Sequence, residues 1–267
     1  MTGIQRVIKW FGIALGIFLS ISIISSIFGL IYVVSGFTGL TNSSLDDNYS
    51  YRYDKFVLNL DIDLSYSNLS ILTGEVFYIE TNDKDIHFIE KDNKLKISDS
   101  SRDLFSLKKN SKVVIYLPND YKFDNVFISS GAGRVHIDSI NLDYFDLELG
   151  AGEFVVDNII VKEMDTETGA GSFRINNGII GKLDFDMGVG SVFITSKIVN
   201  YGKIEAGVGS LGLNLVGTRE DYNLDISKGL GNIYVDNTQI SDSDKVGNGD
   251  SKIDIDGGIG KIEVNFK

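Results

Sequence analysis

The chain has no cysteine, which excludes disulfides and thiolate metal sites and leaves the redox compartment open. Histidine occurs twice in 267 residues. Neither His87 nor His136 has a second histidine or a cysteine close by in sequence, so both read as strand residues rather than transition-metal ligands. Positive charge is scarce: 25 basic residues stand against 37 acidic ones, a net −12. Residues 1–40 hold only Arg6 and Lys9, so the remainder carries 23 basic against 37 acidic residues, a net −14. Such a surface excludes nucleic acid as a partner and favours cations or basic partners. Catalytic signatures are missing too: there is no Gly-x-Ser-x-Gly elbow, no Walker sequence and no His-Glu-x-x-His. The reading is of a protein that is not an enzyme, with no catalytic residues and no cofactor.

Glycine is abundant, 29 residues against a single proline, and it is ordered. Gly-x-Gly recurs at Gly131/Gly133, Gly150/Gly152, Gly169/Gly171, Gly188/Gly190, Gly207/Gly209, Gly229/Gly231 and Gly258/Gly260. The first five pairs are 19 residues apart, and the next intervals are 22 and 29. A fixed period of this length marks units that cannot bury their own apolar face and must stack. Before each pair, apolar residues alternate with polar ones, as in Phe145, Leu147 and Leu149 or Leu183, Phe185 and Met187. The residue between the glycines (Ala151, Val189) stays in phase, and after the second glycine the parity flips. Phe154 and Val156, Val192 and Ile194, Leu211 and Leu213, and Ile262 and Val264 follow that flip. A one-residue slip normally turns every side chain to the wrong face. Its recurrence predicts a corner in the backbone, with glycine supplying the dihedral freedom and the apolar residues, the one between the glycines included, kept inward.

A second apolar pair (Ile159-Ile160, Ile179-Ile180, Ile198-Val199) suggests a third side or return. The expected fold is all-β, a parallel β-solenoid of about 19-residue coils preceded by one transmembrane helix. A meandering antiparallel stack is the alternative, but it calls for Asn-Gly or Asp-Gly hairpins between strands throughout, and those dipeptides occur only at Asn177-Gly178, Asn248-Gly249 and Asp256-Gly257. The 22- and 29-residue intervals read as loops between coils, chiefly Asp236–Lys252.

From Phe11 to Val34 runs a stretch of 24 residues without a charge, long enough to cross a hydrocarbon core of roughly 30 Å as a helix. Arg6 and Lys9 precede it and the first charges after it are Asp46 and Asp47, which predicts a cytoplasmic amino terminus and an extracytoplasmic remainder. Trp10 and Tyr32 bracket the span. A cleaved signal peptide is the rival, against which stand the length of the apolar core and the lack of an Ala-x-Ala site. Gly12 and Gly16 have the spacing that lets two helices approach closely. The organisation expected is a cytoplasmic terminus (1–9), a transmembrane helix (10–34), a flexible linker (35–53) and a β-repeat domain (54–267). Within that domain, residues 54–120 form irregular first coils and 121–267 the regular repeats. Strand patterns before the first corner include Phe56 to Leu64, Val76-Tyr78, Ile86-Phe88 and Leu95-Ile97, then Val113–Leu117, which Pro118 ends.

Lys-Val-Val-Ile-Tyr-Leu-Pro (112–118), Tyr-Lys-Phe-Asp-Asn-Val (121–126), Ser-Ser-Gly-Ala-Gly-Arg-Val-His-Ile (129–137) and the serial Gly-x-Gly strands resemble one known family. This is the bacterial putative-adhesin family of β-strand-repeat proteins, DUF4097, and the likeness covers about residues 54–267. The resemblance implies an extracytoplasmic or membrane-associated envelope protein, in some relatives tied to envelope stress responses. It brings no catalytic residues with it.

Outward positions should form columns. Four and two residues before each first glycine from Gly150 onward stand Asp146, Asp165, Asp184, Lys203, Asp225 and Asp254, and Glu148, Glu167, Asp186, Glu205, Ser227 and Asp256. In stacked coils these would be neighbours about 4.8 Å apart, repelling by roughly 1 kcal/mol per adjacent pair even in water. Two readings follow: a solvated face that keeps a long sheet soluble, or a face that weakly holds divalent cations or a cationic peptide. Beyond the corner, Arg174, Phe193 and Tyr234 are mixed outward residues. Gly207-Val-Gly-Ser-Leu-Gly212 mimics a dinucleotide loop, but strand pattern rather than a helix follows it. Gly247–Ile255 resembles one copy of a calcium-binding repeat that works only in tandem, and reads as a polar surface loop. The expected function is a non-catalytic, membrane-anchored scaffold or binding module of the cell envelope, acting in envelope stress sensing, with a protein or envelope component as partner. A passive cell-surface adhesin and a carbohydrate-active solenoid enzyme are the alternatives.

Overall fold

The structure is a computed structural model that describes residues 49–52, 56–99, 111–240 and 244–267. The candidate transmembrane span 10–34 and the amino-terminal residues before it lie outside the described residues. No helix among the described residues is long and apolar enough to cross a membrane.

The described chain is all-β. Its elements are β1 (Tyr49–Arg52), β2 (Asn59–Leu64), β3 (Asn68–Thr73), β4 (Tyr78–Thr81), β5 (Ile86–Lys91), β6 (Lys94–Asp99), β7 (Lys112–Leu117), β8 (Lys122–Leu215), β9 (Tyr222–Val235), β10 (Thr238–Ile240), β11 (Asp244–Gly247) and β12 (Ser251–Phe266). One 3-10 turn, Arg219–Asp221, interrupts them, and Asp221 accepts from both the backbone N–H and the hydroxyl of Thr218. β1 falls inside the segment expected to be a flexible linker; it pairs antiparallel with β4 in register Tyr49 to Thr81.

β8 holds five of the glycine corners in one continuous element. Each corner lies directly over the one 19 residues earlier. A Cβ built on Gly152, Gly171 or Gly190 would stand 1.8–1.9 Å from the carbonyl oxygen of the second glycine of the preceding corner. Backbone therefore rests on backbone at the corner, and a side chain there has no room. The second glycines also adopt φ of +140 to +147° between Gly152 and Gly209, a region that L side chains rarely occupy. Both requirements explain why the sequence keeps glycine at these positions.

The order of layers is not the order of the chain. β12 pairs in parallel with the last turn of β8 on one side (Asp254 to Lys203, Gly260 to Gly209) and with β9 on the other (Asp254 to Asp225, Gly260 to Gly231). The corner Gly258/Gly260 thus lies between Gly207/Gly209 and Gly229/Gly231, and the chain passes over a layer that it later returns to fill. The 29-residue interval, expected to be a loop between adjacent coils, instead contains β10 and β11, which both pair antiparallel with β9.

The opposite end repeats the device. β2 pairs in parallel with β8 on one side and with β6 on the other; β3 does the same with β8 and β7. The layer made by β2 and β3 therefore sits between β8 and a terminal layer of β6 and β7 that comes later in sequence. It is in register with the repeats rather than irregular, and Ser65-Tyr66-Ser67 takes the place of a glycine corner. Antiparallel β4 and β5 cover β7 and β6. Short antiparallel strands thereby cover the edges of the parallel layers at this end.

Two tight turns help to close these ends. Asp92-Asn93 joins β5 to β6, and Asp236-Asn237 joins β9 to β10, with φ of 51° and 60° and of 47° and 62°. Positive φ at both central residues is the type I′ geometry that matches strand twist.

Alternation predicts the core well. Phe145, Leu147, Phe154, Val156, Leu183, Phe185, Val192, Ile194, Leu211, Leu213, Ile262 and Val264 are all buried. Phe154 stacks on Phe173 with centroids 4.8 Å apart, and Phe173 meets Phe185 edge-on at 4.7 Å. In the second apolar pairs one member is buried (Ile159, Ile180, Ile198) and the other exposed (Ile160, Ile179, Val199).

The residue between the glycines departs from expectation. Val189 is 51% exposed, Val208 44%, Ile259 53% and Leu230 72%. With φ near +145° at the second glycine, the corner does not preserve strand alternation, so the middle residue points out instead of in.

Candidate interaction groove

The two acidic columns form on the side of the sheet that precedes the corner. Asp256 stands beside Glu205 and Ser227, and Asp254 beside Lys203 and Asp225. The column is interrupted by partners. Lys252 donates to Asp254 at 2.8 Å, the Tyr201 hydroxyl donates to the same oxygen at 3.1 Å, Lys203 meets Glu205 at 2.5 Å, and Lys245 approaches Asp225 at 3.5 Å. Asp61 and Asp63 hold the same positions in the β2 layer, but the Gly131 layer between them and the acidic columns carries Phe127 and Ser129 there. Sequence counting from the glycines missed these two, since their layer has a serine corner.

Next to the glycines the inner column borders an open groove of about 930 Å³. Glu148, Glu167, Asp186, Glu205 and Asp256 line one side of it. Leu149, Thr168, Met187 and Ala206 also line it, with the first glycines of six of the seven corners, all but Gly229. One residue further along the chain stand Val189, Val208, Ile259 and Leu230, so an exposed apolar ridge runs beside the groove.

Packing like charges has a cost that shows in their protonation. Desolvation raises the pKa of Asp186, and Glu205 adds to this while Lys203 opposes it. Desolvation likewise raises Asp146, followed by the charges of Asp165, Glu148 and Glu167. Asp143 shows the opposite case: Lys122 at 2.6 Å and Lys162 at 2.8 Å donate to it and hold its carboxyl below the ordinary range.

On the second side of the coil a polar ladder links layers. The Asn176 amide donates to Asp157 at 2.7 Å, Asn214 to Thr195 at 3.3 Å, and Asn265 to Asn214 at 3.2 Å. Here His136, read from sequence as an ordinary strand residue, meets two carboxylates: its Nε2 lies 3.0 Å from Asp138 and 3.8 Å from Asp157. These are the one group among the described residues with three potential metal ligands within 4.8 Å of each other. Its oxygens already have protein donors, however. Asp138 accepts from the Thr73 N–H at 3.2 Å and Asp157 from Asn176, so the cluster works as a tie between layers. Its members are two and 21 residues apart in sequence, which no local motif reveals. His87 lies exposed on β5. Arg174 and Phe193 stack on each other at 4.8 Å, and Lys261 lies over Tyr234 at 5.1 Å.

The Toastrack DUF4097 family model matches residues 57–265. The chain belongs to the DUF4097 family. This DUF4097 protein is similar to a crystal structure described as a putative adhesin from Parabacteroides merdae, with 11% identity over 82% of this chain and 95% of that one, and a TM-score of 0.45. A putative adhesin from Bacteroides fragilis is 16% identical over 82% of this chain and 97% of that one, with a TM-score of 0.42. A putative cell adhesion protein from Clostridium sporogenes is 16% identical over 83% and 99%, with a TM-score of 0.39. No curated protein matches the chain.

Proposed function

We propose that this DUF4097 protein is a membrane-anchored, non-catalytic scaffold or binding module of the cell envelope, with its stack of β-coils, a solenoid, outside the membrane. The observation that carries the binding reading is the groove. Glycine, a carboxylate and a mostly apolar residue between them recur along the groove through successive layers, and such a surface presents the same chemistry repeatedly to an elongated partner. The uncharged stretch from Phe11 to Val34, with Arg6 and Lys9 before it, supports the anchor and its orientation. A part in sensing envelope stress is consistent with a module held at the membrane that engages a partner.

The lack of cysteine makes the topology easy to test. A cysteine introduced at exposed Arg219 should react with a membrane-impermeant maleimide on intact cells, and one placed at Thr2 should react only after permeabilisation. The reverse pattern, or release of the domain from membranes by a salt wash, overturns the anchored, outward arrangement.

A further inference from the structure

The apolar ridge is the feature that solubility does not explain. In stack order the corner residues run Ala132, Ala151, Ala170, Val189, Val208, Ile259 and Leu230, small at one end and large and exposed at the other. A face needed only to keep the protein in solution would carry polar residues here, as the positions three residues earlier do. The ridge spans three layer steps from Val189 to Leu230, about 14 Å at about 4.8 Å per layer. The acidic wall from Glu148 to Asp256 spans four, about 19 Å.

We propose that the groove and the ridge together dock a cationic amphipathic helix of a partner, laid along the stack axis with its basic side chains on the acidic wall and its apolar side chains on the ridge. This deepens the binding-module reading and rests on it. Charge complementarity selects the partner, because the wall is carboxylate in five successive layers. A second copy docked through the same face would set carboxylate against carboxylate, and an anionic lipid surface would be repelled in the same way.

Pitch selects the helix. An α-helix advances about 5.4 Å per turn, so residues at i, i+4 and i+7 return to one edge at nearly the layer spacing. Flexible lysine stems absorb the remaining mismatch of about 0.6 Å per step. An extended strand repeats a face every roughly 6.7 Å and falls out of register within two layers. The mode is a helix in a groove, with the neighbouring apolar anchors excluding water around the ion pairs.

The test uses the full chain in phosphatidylcholine nanodiscs, with empty nanodiscs as the blank, and a fluorescent 18-residue peptide of leucine and lysine patterned as an amphipathic helix. Anisotropy should show binding at least ten-fold tighter than that of the same residues scrambled. The triple variant E167Q/D186N/E205Q should lose ten-fold or more, together with most of the salt dependence. V208S/I259S/L230S should lose several-fold and keep the salt dependence. All these side chains are exposed or at the groove surface, and melting temperatures no lower than the parent's check that the variants fold. Equal binding of scrambled peptide or of polylysine overturns the proposal, as does peptide binding that ignores the acidic triple variant. A ridge variant that changes self-association in sedimentation without changing peptide affinity overturns it in favour of a second copy. Maleimide labelling reads membrane topology independently, so failure of the anchored arrangement and failure of helix docking give different results.

Discussion

The middle of the stack and its two ends are built by different rules. In the middle, each turn of β8 rests on the turn 19 residues before it, and every glycine corner repeats the last. At the ends, the penultimate layer is supplied by a segment from elsewhere in the chain: β12 under β9, and the β2–β3 layer under β6 and β7. A repeat made only of neighbour contacts can fray from its terminus one layer at a time. An end layer whose support is distant in sequence is tied to a second connection, so the two outer layers stand or fall together.

The largest effect should come from breaking that tie. Deleting residues 251–267 removes the only parallel neighbour of β9 among the described residues, and should free β9, β10 and β11 together. In hydrogen exchange, amides of 222–240 should lose protection while those of 140–200 keep it. Protection retained across 222–240 would show that the end does not depend on the inserted layer.

A glycine corner in the middle should be less tolerant than the corner nearest the serine layer. Gly190→Ala forces a Cβ to 1.8 Å from a backbone oxygen at φ of +147°, and should cost at least about 3 kcal/mol in denaturant unfolding. At Gly133, also at positive φ (158°), the corresponding contact is 2.8 Å, and alanine there should cost less, about 2 kcal/mol. Equal costs would mean that corner packing is not what sets the period.

Thr166 lies on the inner face between Leu147 and Phe185, 1% exposed, and its hydroxyl has no hydrogen-bond partner among the described residues. Thr166→Val keeps the shape and should stabilise the middle by about 1 kcal/mol. A loss of stability would reveal a partner for the hydroxyl.

The acidic wall should make the middle pH-sensitive. The folded pKa values of Asp146 and Asp186 lie above the ordinary carboxylate value, so the folded state holds these protons more tightly than the unfolded chain. Stability should therefore rise as pH falls from neutral towards about 4, where an unperturbed carboxylate titrates. D146N/D186N should flatten that rise in thermal melts. A wild-type melting temperature that falls over the same window contradicts the assignment, unless the variant falls by the same amount more.

The smallest effect belongs to the end turns. Asn93→Gly and Asn237→Gly relieve positive φ at the second turn position and should each add a few tenths of a kcal/mol.

Much of this was legible from residue order alone. The alternation around each Gly-x-Gly identifies the buried faces, and counting back from the glycines finds the acidic columns, because both are fixed within one repeat. Layer order was not legible: every repeat offers its neighbours nearly the same edge, so nothing local says that Gly258 follows Gly207 in space. The outward turn of Val189, Val208, Ile259 and Leu230 was missed because parity assumes alternating strand geometry through a glycine that abandons it. The end hairpins were missed because they use Asp-Asn rather than the Asn-Gly or Asp-Gly that signals them most strongly. His136 finds Asp157 only through stacking, which needs the register.

The inserted layer also sets a timetable. During synthesis β9 leaves the ribosome 29 residues ahead of the corner it must rest on, a wait of roughly 1.5 to 6 s at about 5–20 residues per second. Until residues 251–266 arrive, β9 has the short strands β10 and β11 for company and no parallel layer beneath it. The final strand therefore acts as a latch, and a chain cut short before it leaves its outermost layer unlocked.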